Sequence, residues 1–254
     1  MHQLGDGMTK ANVDKLEPSA AAPAAKPLRP RDAATLILLD RKGDDVVVLM
    51  GRRHAGHAFM PGKFVFPGGR TDPADSRVAV ATALPPKEEA NLTAGIGRTS
   101  VARARAIALS AIRETYEEAG LLIGRKGAFT TTRRDWQGFA EHGVVPSLEA
   151  LRFIARAITP PNRERRFDTR FFTADASAIT HQVEGVIHAD AELVELVWVE
   201  IGSKPLADLH PMTRNVLGVL EKRLATGPLR HDAAVPFFHF YGGKMQKDVL
   251  GEAS

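Results

Sequence analysis

The chain has 254 residues, of which 44% are hydrophobic and 25% charged, a mix typical of a soluble globular protein that is long enough for one large domain. It contains no cysteine, which excludes disulfides, thiolate metal sites and a cysteine nucleophile, and cytoplasmic localisation is the expectation that follows. The formal net charge of +4 comes from arginines spread along the sequence, so it gives little support to nucleic-acid binding and suits a small anionic substrate equally well.

Residues 1–30 are rich in alanine and proline and have little to bury, so they are predicted to form a disordered tail. The tail lacks the apolar segment of a secretory signal, and its acidic residues argue against a transit peptide. The apolar runs that follow, such as 33–39 and 46–50, are far shorter than the roughly 20 residues that span a bilayer. No membrane segment is therefore expected.

Strand and helix patterns alternate from residue 33 onward. The runs 33–39 and 46–50 flank a charged turn and predict a β-hairpin, and a third strand is predicted over 63–66. A helix is predicted over 102–122 with Gly120 as its C-cap, or alternatively with Leu121 already beginning the next strand. Further strands and a closing amphipathic helix are predicted over 153–158, 169–173, 193–199 and 212–224. This interleaving predicts an α/β or α+β sandwich.

The predicted helix carries three carboxylates on one face. Glu114, Glu117 and Glu118 are three and four residues apart, so their side chains converge. Such groups raise one another's pKa unless a cation lies between them, and Mg²⁺ or Mn²⁺ with oxygen ligands would relieve the repulsion. Arg113 can pair with Glu117 or brace a neighbouring glutamate. The alternative is a solvated helix face, but the glycine pair and acidic turn within 66–75 favour a site.

The combination resembles the Nudix box, whose pattern is G-x5-E-x7-R-E-U-x-E-E-x-G-U, where U is a bulky apolar residue. The matching residues are Gly69, Arg113, Glu114, Glu117, Glu118, Gly120 and Leu121. Asp75 stands at the first glutamate position, and Thr115 at an apolar one. Residues 76–112 separate the two parts of the box, so about 30 residues are inserted, which loop-closure entropy tolerates. The insertion, taken as 76–106, is predicted to be a polar surface excursion.

The interrupted box is similar to that of a Nudix branch that includes peroxisomal coenzyme A and acyl-coenzyme A diphosphatases. In that branch F-P-G-G is followed by D-x-x-D, as residues 66–69 are followed here by Asp72 and Asp75.

The signature that precedes the box in coenzyme A-cleaving members is matched in part. Arg53 and Gly62 fit its pattern, whereas its second arginine falls on Ala58 and its serine-or-alanine position on His54. The identity of the substrate is therefore left open among those of the family.

The resemblance implies a Nudix-like sandwich, with a mixed β-sheet flanked by helices, over residues 31–235, followed by a C-terminal extension over 236–254. It implies metal-assisted attack of water on a nucleoside diphosphate linked to another group. The catalytic residues would be Arg113, Glu114, Glu117 and Glu118, and the metal ligands would be the three glutamates and the carbonyl of Gly69.

Arginines are the expected partners of diphosphate oxygens, because their planar guanidinium groups bind in a bidentate manner. Position favours Arg53 and Arg70, and Arg166 and Arg170 are further candidates. A separate general base is left open among the acids of the loop that carries one in other Nudix enzymes, namely Glu184, Asp190 and Glu192.

Three hypotheses follow. The first is a diphosphatase of coenzyme A or acyl-coenzyme A. The second is a hydrolase of ADP-ribose, a dinucleoside polyphosphate or a nucleotide sugar. The third is a Nudix module that senses a nucleotide without turnover, which the retained carboxylates disfavour because a sensor has no need of charges that repel. The expected partner is a small nucleotide-type molecule, and a homodimer is left open.

Overall fold

The computed structural model describes residues 28–56, 61–94, 99–203 and 209–250. The tail predicted over 1–30 lies outside these ranges up to residue 27, and Ala58 lies outside them as well.

Strands make up most of the described structure. They are β1 (Arg31–Lys42), β2 (Asp45–Arg53), β3 (Phe64–Val65), β4 (Gly68–Arg70), β5 (Leu121–Lys126), β6 (Val144–Pro146), β7 (Arg152–Ile158), β8 (Phe167–Asp175), β9 (Ile179–Gln182), β10 (Leu193–Glu200), β11 (Val235–Tyr241) and β12 (Lys244–Leu250). The α-helices are α1 (Pro86–Thr93), α2 (Val101–Ala119), α3 (Gln137–Glu141) and α4 (Pro211–Ala225). Each predicted strand and both predicted helices fall on one of these elements.

The main sheet has the strand order β10-β2-β1-β8-β7-β11-β12, with β3 paired to β2 and β4 paired to β1. The pairs β1 with β8 and β7 with β11 are parallel, and the other pairs are antiparallel, so the sheet is mixed. A second sheet has the order β6-β5-β9. The predicted α+β class with a mixed sheet and flanking helices is confirmed.

Strand β1 is covered on both faces, which explains its uninterrupted apolar sequence. Leu36 and Leu38 belong to the core cluster that includes the buried face of α2. Ile37 and Leu39 belong to the second cluster, which includes the buried face of α4. One helix therefore packs on each face of the sheet, and α2 lies on the face that also carries the glutamate site.

Helix α2 is capped at both ends. The Ser100 side chain accepts a hydrogen bond from the Arg103 N–H at 3.1 Å, and Gly120 takes a left-handed conformation with φ of 71°. The helix thus ends at Ala119 and Leu121 begins β5, as the second of the two sequence interpretations proposed. In the described part of the chain no helix is both long enough and apolar enough to cross a lipid bilayer.

The prediction that the insertion over 76–106 is a polar surface excursion is wrong. Val78, Leu84 and Leu92 are buried in the cluster that packs against α2. The carboxylate of Glu88 is also buried and accepts a hydrogen bond from the backbone N–H of Phe153 at 3.0 Å. The apolar residues of the insertion are few and widely spaced, so the sequence pattern underestimates what they bury together.

The division between a domain over 31–235 and an extension over 236–254 also needs correction. Strand β11 crosses that boundary and pairs in parallel with β7, with Phe237 opposite Arg156. Phe237 and Phe238 are buried in the two core clusters. Residues 236–250 therefore complete the main sheet.

Candidate functional site

The carboxylates of α2 lie against the glycine turn of β4. Gly69 pairs with Ala34 of β1, and a Cβ at residue 69 would overlap the carboxylate of Glu114. The backbone N–H of Gly68 donates to Glu118 Oε2 at 3.2 Å. Only glycine allows the turn and the helix to approach this closely. The structure thus brings Gly69 together with the predicted glutamates.

Arg113 forms ion pairs with three acidic residues of the site. Its Nη1 lies 2.7 Å from Glu114 Oε1 and 2.8 Å from Glu117 Oε2, while its Nε lies 3.1 Å from Asp75 Oδ2. Its Nη2 donates to the carbonyl oxygen of Arg70 at 2.8 Å. The guanidinium therefore fixes two of the three helix glutamates and ties the helix to the turn after β4, as the bracing role predicted for it requires.

Asp75, which stands at the first glutamate position of the box, is fully buried. Besides Arg113 it accepts hydrogen bonds from Trp136 Nε1 at 3.1 Å and from Arg133 Nη2 at 3.3 Å. Arg133 also reaches Asp72, whose side chain caps the short 3₁₀ helix that carries Asp75. Sequence reasoning missed Trp136 and Arg133, because no local pattern marks a residue some 60 positions away. Asp75 acts as an anchor for Arg113.

Thr115 replaces the apolar residue of the Nudix pattern without leaving a polar group unpaired. It is fully buried, and its Oγ1 donates to the carbonyl oxygen of Ala111, one helical turn earlier, at 2.8 Å. The hydroxyl is satisfied within its own helix, which explains why this departure is tolerated.

The carboxylates have raised pKa values. Burial raises the pKa of Glu117 to about 7, against the opposing effect of Arg113 and with the support of the Glu114 charge. Burial also raises the pKa of Glu114 and, well above its usual value, that of Glu118, where the charge of Glu192 adds to the effect. Burial alone would lower the pKa of Arg113, but its acidic neighbours together raise it. Burial therefore destabilises the charged forms of these carboxylates, and a cation bound among them would stabilise those forms.

The donor set suits a hard divalent cation, because carboxylate and carbonyl oxygens are the ligands such ions prefer. Among the described residues, no three acidic or histidine side chains already converge as a metal cluster. Instead Glu114 and Glu117 turn to Arg113, and Glu118 turns to Gly68. Each of these bonds uses one oxygen of its carboxylate.

Two of the predicted arginines lie at the site. Arg53 Nη1 is 2.8 Å from Glu192 Oε1, and its charge opposes the raised pKa of Glu118. Arg70 directly follows Gly69 and is exposed. Both arginines are placed so that they can meet an anionic substrate.

The other two arginines serve the fold, so the prediction that they bind substrate is corrected. Arg170 is 2% exposed, and its Nη1 lies 2.8 Å from Asp32 Oδ1 and 3.0 Å from Asp168 Oδ1. Arg166 donates to the carbonyl oxygen of Thr159 from Nε at 3.2 Å and from Nη2 at 3.1 Å. Their guanidinium groups are committed to ion pairs and backbone carbonyls, which the clustering of arginines in the sequence did not reveal.

The structure separates the three candidate bases. Glu192 contacts Arg53, and its charge acts on both Glu114 and Glu118. Glu184 and Asp190 are exposed, and neither is among the leading causes of the raised pKa values of the helix glutamates. Of the three, Glu192 is the one that the fold brings to the site.

No family model and no curated protein matches the chain. Its structure is similar to the crystal structure of a Nudix hydrolase from Alicyclobacillus acidocaldarius, with 28% identity, coverage of 80% of this chain and 86% of that one, and a TM-score of 0.51. It also matches the M. smegmatis Nudix hydrolase RenU, with 21% identity, coverage of 79% and 89%, and a TM-score of 0.42. A third match is the NUDIX domain of Shewanella oneidensis NrtR complexed with ADP ribose, with 14% identity, coverage of 78% and 90%, and a TM-score of 0.41. The first of these likenesses supports the Nudix fold.

Proposed function

We propose that this chain, a Nudix pyrophosphohydrolase, cleaves the diphosphate bond of a nucleoside-diphosphate-linked substrate with Mg²⁺ or Mn²⁺ bound at the α2 glutamates. The observation that carries the proposal is the packing of Glu114 and Glu118 against the Gly68–Gly69 turn, with Arg113 bracing Glu114 and Glu117. Solvated helix faces do not bury their carboxylates in this way, so the alternative of an ordinary surface helix loses its support.

The ligands would be the carboxylates of Glu114, Glu117 and Glu118 and the carbonyl oxygen of Gly69. When bound, the ion would supply charge neutralisation at the diphosphate and would lower the pKa of a coordinated water molecule. Arg113 holds the glutamate rotamers in place. Such a preorganised site lowers the activation barrier, because its groups need not reorganise as charge develops.

Arg53 and Arg70 would bind the diphosphate oxygens. Arg53 lies beside Glu118 and is held by Glu192, so its guanidinium has a fixed orientation. Arg70 is exposed next to the glycine turn. Two guanidinium groups near the carboxylates would position an anionic substrate and offset the negative charge that otherwise repels it.

For the substrate we propose coenzyme A or an acyl-coenzyme A, because the F-P-G-G and D-x-x-D elements occur together. In the structure these two elements are connected through Arg113. Asp75 of the D-x-x-D element forms an ion pair with Arg113, and Arg113 contacts the carboxylates that lie beside the glycines of the F-P-G-G element. The alternatives within the same reaction class are ADP-ribose, dinucleoside polyphosphates and nucleotide sugars.

The test is product analysis by mass spectrometry after incubation with coenzyme A, ADP-ribose and diadenosine polyphosphates, each with Mg²⁺ and with Mn²⁺. We expect coenzyme A to yield a 3′,5′-ADP product faster than the other substrates are cleaved. Faster cleavage of ADP-ribose or a diadenosine would overturn the coenzyme A assignment and keep the reaction class. Tight nucleotide binding with no metal-stimulated turnover would instead favour a sensing module.

The two glycines of the turn should respond differently to alanine. In Gly69→Ala the three atoms nearest to the new Cβ all belong to the Glu114 carboxylate and none to the backbone, so we expect kcat to fall about 10- to 100-fold, with a smaller loss of unfolding free energy than in Gly68→Ala. In Gly68→Ala the Cβ would lie 2.5 Å from the carbonyl oxygen of Ala34 and 2.7 Å from the Cα of Thr35, so we expect a loss of about 1–3 kcal/mol.

Turnover assays and urea unfolding of both variants test this contrast. Gly218→Ala on α4 is the matched control, because no heavy atom apart from its chain neighbours and its own helix backbone lies within 4 Å of the Cβ that it adds. A Gly69→Ala variant that unfolds as readily as Gly68→Ala but keeps full activity would contradict the placement of Glu114.

A further inference from the structure

The guanidinium of Arg113 divides its three nitrogens among different partners. Nε donates to Asp75 Oδ2 at 3.1 Å, Nη1 contacts two of the helix glutamates, and Nη2 donates to the carbonyl oxygen of Arg70 at 2.8 Å. Because Arg70 directly follows Gly69, the bond from Nη2 ties α2 to the turn whose carbonyl is a proposed metal ligand. The position of that turn therefore depends on Nη2 being available to Arg70.

Asp75 competes for the same nitrogen. A carboxylate can bind a guanidinium through Nε and Nη2 together, because both N–H groups point to the same side. Three arginine–aspartate pairs of the described structure have this bidentate geometry, with distances of 2.6–2.8 Å, namely Arg103–Asp32, Arg156–Asp168 and Arg230–Asp232. A bidentate pair between Arg113 and Asp75 would take Nη2 away from Arg70.

The second oxygen of Asp75 is instead bound by two residues of the connection between β5 and β6. Oδ1 accepts hydrogen bonds from Trp136 Nε1 at 3.1 Å and from Arg133 Nη2 at 3.3 Å. Asp75 is fully buried, so water does not replace these donors. Without them Oδ1 would be a buried acceptor lacking a partner, and rotation of the carboxylate towards Nη2 of Arg113 would supply one.

Both donors are fixed by contacts of their own. Trp136 is fully buried, and its ring centroid lies 5.1 Å from that of Phe139, which in turn lies 5.5 Å from that of Tyr116 on α2. Arg133 donates from the same Nη2 to Asp72 Oδ2 at 2.8 Å. The two donors therefore hold the carboxylate in one orientation, and the shorter bond comes from the tryptophan.

We propose that Trp136 and Arg133 are positioning residues of the metal site on α2. They hold Oδ1 of Asp75 and so restrict this carboxylate to one bond with Arg113. Nη2 then stays on the backbone carbonyl that follows the glycine turn, and the turn stays against the helix glutamates. This role rests on the proposed function, because it serves the metal ion that the glutamates would bind.

The first test is a crystal structure of the full chain carrying Trp136→Phe, without metal. The substitution removes the indole N–H and keeps an aromatic ring in the core. We expect Asp75 to form a bidentate pair with Arg113, and we expect the distance from Nη2 to the carbonyl oxygen of Arg70 to exceed about 3.5 Å, the limit of a hydrogen bond.

The second test is calorimetric titration with Mn²⁺. Trp136→Phe should weaken Mn²⁺ binding about 10- to 100-fold, the usual effect of losing a group that orients metal ligands. Arg133→Met, which removes the longer of the two bonds, should weaken it less. A purely structural role would lower the midpoint of thermal unfolding and leave the affinity of the folded protein unchanged, so the affinity separates the two roles.

Two control variants match these substitutions. Trp198→Phe changes the other of the two tryptophans, which is half-buried on β10, and Arg134→Met removes an exposed arginine next to Arg133. Both should leave Mn²⁺ affinity as it is in the wild type.

Contacts of Arg113 that stay unchanged in Trp136→Phe would overturn the proposal. So would unchanged Mn²⁺ affinity of the variants when the wild type binds Mn²⁺. If Trp136→Phe does not fold, the same two measurements on Arg133→Met decide. A wild-type chain that binds no Mn²⁺ would overturn the proposed function instead, and the crystal structure alone would then decide whether Trp136 and Arg133 position Arg113.

Discussion

Glu118→Gln is expected to lower kcat by about 10²- to 10³-fold while the protein stays folded. Glu118 is 7% exposed, and its Oε2 accepts the hydrogen bond from the N–H of Gly68. A glutamine can keep that bond through its amide oxygen, but it removes the negative charge that a divalent cation needs. Loss of one metal ligand should cost several kcal/mol of transition-state stabilisation, and each 1.4 kcal/mol is about tenfold in rate.

Three measurements on the same samples test this prediction: turnover, Mn²⁺ affinity by calorimetry and thermal unfolding in the absence of metal. Both turnover and Mn²⁺ affinity should fall, and the midpoint of unfolding should not. Glu221→Gln, at an exposed position on α4, is the control for the change from glutamate to glutamine and should have no effect on any of the three. Undiminished turnover of Glu118→Gln would remove the metal assignment.

The elements that carry the site were predictable because their signals are local. Helix α2 combines a serine cap, a glycine C-cap and three glutamates at helical spacing, and all of these lie within about 20 residues of sequence. Its neighbour β1 is recognisable because burial on both faces requires an uninterrupted apolar run. Patterns of this kind depend on residues that are close in the chain, so a sequence reveals them without knowledge of the tertiary fold.

The hydrogen bonds and ion pairs that hold the site residues in place were not predictable, because their partners are far apart in sequence. Trp136 and Arg133 meet Asp75 across about 60 residues, and the burial of Arg170 depends on Asp32 from the other end of the domain. An arginine that binds a substrate and an arginine that closes a buried ion pair look alike in a sequence. The three-dimensional environment alone separates the two roles.

The insertion shows how the interrupted box keeps its geometry. Arg105 donates from Nε to the carbonyl oxygen of Ser76 at 2.9 Å and from Nη2 to that of Val78 at 2.6 Å, so the start of α2 is tied to the start of the insertion. Together with the ion pair between Asp75 and Arg113, these bonds hold the two separated parts of the box next to each other. The inserted residues therefore lengthen the chain between the two parts of the box without separating these parts in space.

Arg113→Met is expected to reduce the free energy of unfolding by about 3–5 kcal/mol and to abolish activity. The Arg113 side chain is 8% exposed, and the methionine would leave Asp75, which is 0% exposed, without the cation that lies 3.1 Å from its carboxylate. Glu114 and Glu117 would lose the same partner. Buried carboxylates that face one another without a cation are costly, whereas the exposed pair Arg52–Glu195, with side chains 46% and 43% exposed, should be worth less than about 1 kcal/mol.

Urea unfolding of Arg113→Met and of the control Arg52→Met measures the difference, which should be at least about 2 kcal/mol. A double variant that adds Asp75→Asn tests the cause. In the wild-type background Asp75→Asn should destabilise, because it weakens the bond to Arg113. In the Arg113→Met background it should restore part of the lost stability, because it removes a buried charge that Arg133, at 3.3 Å, then compensates only in part. If the two substitutions are simply additive, or if Arg113→Met costs no more than Arg52→Met, then Arg113 is not the residue that holds the acidic site together.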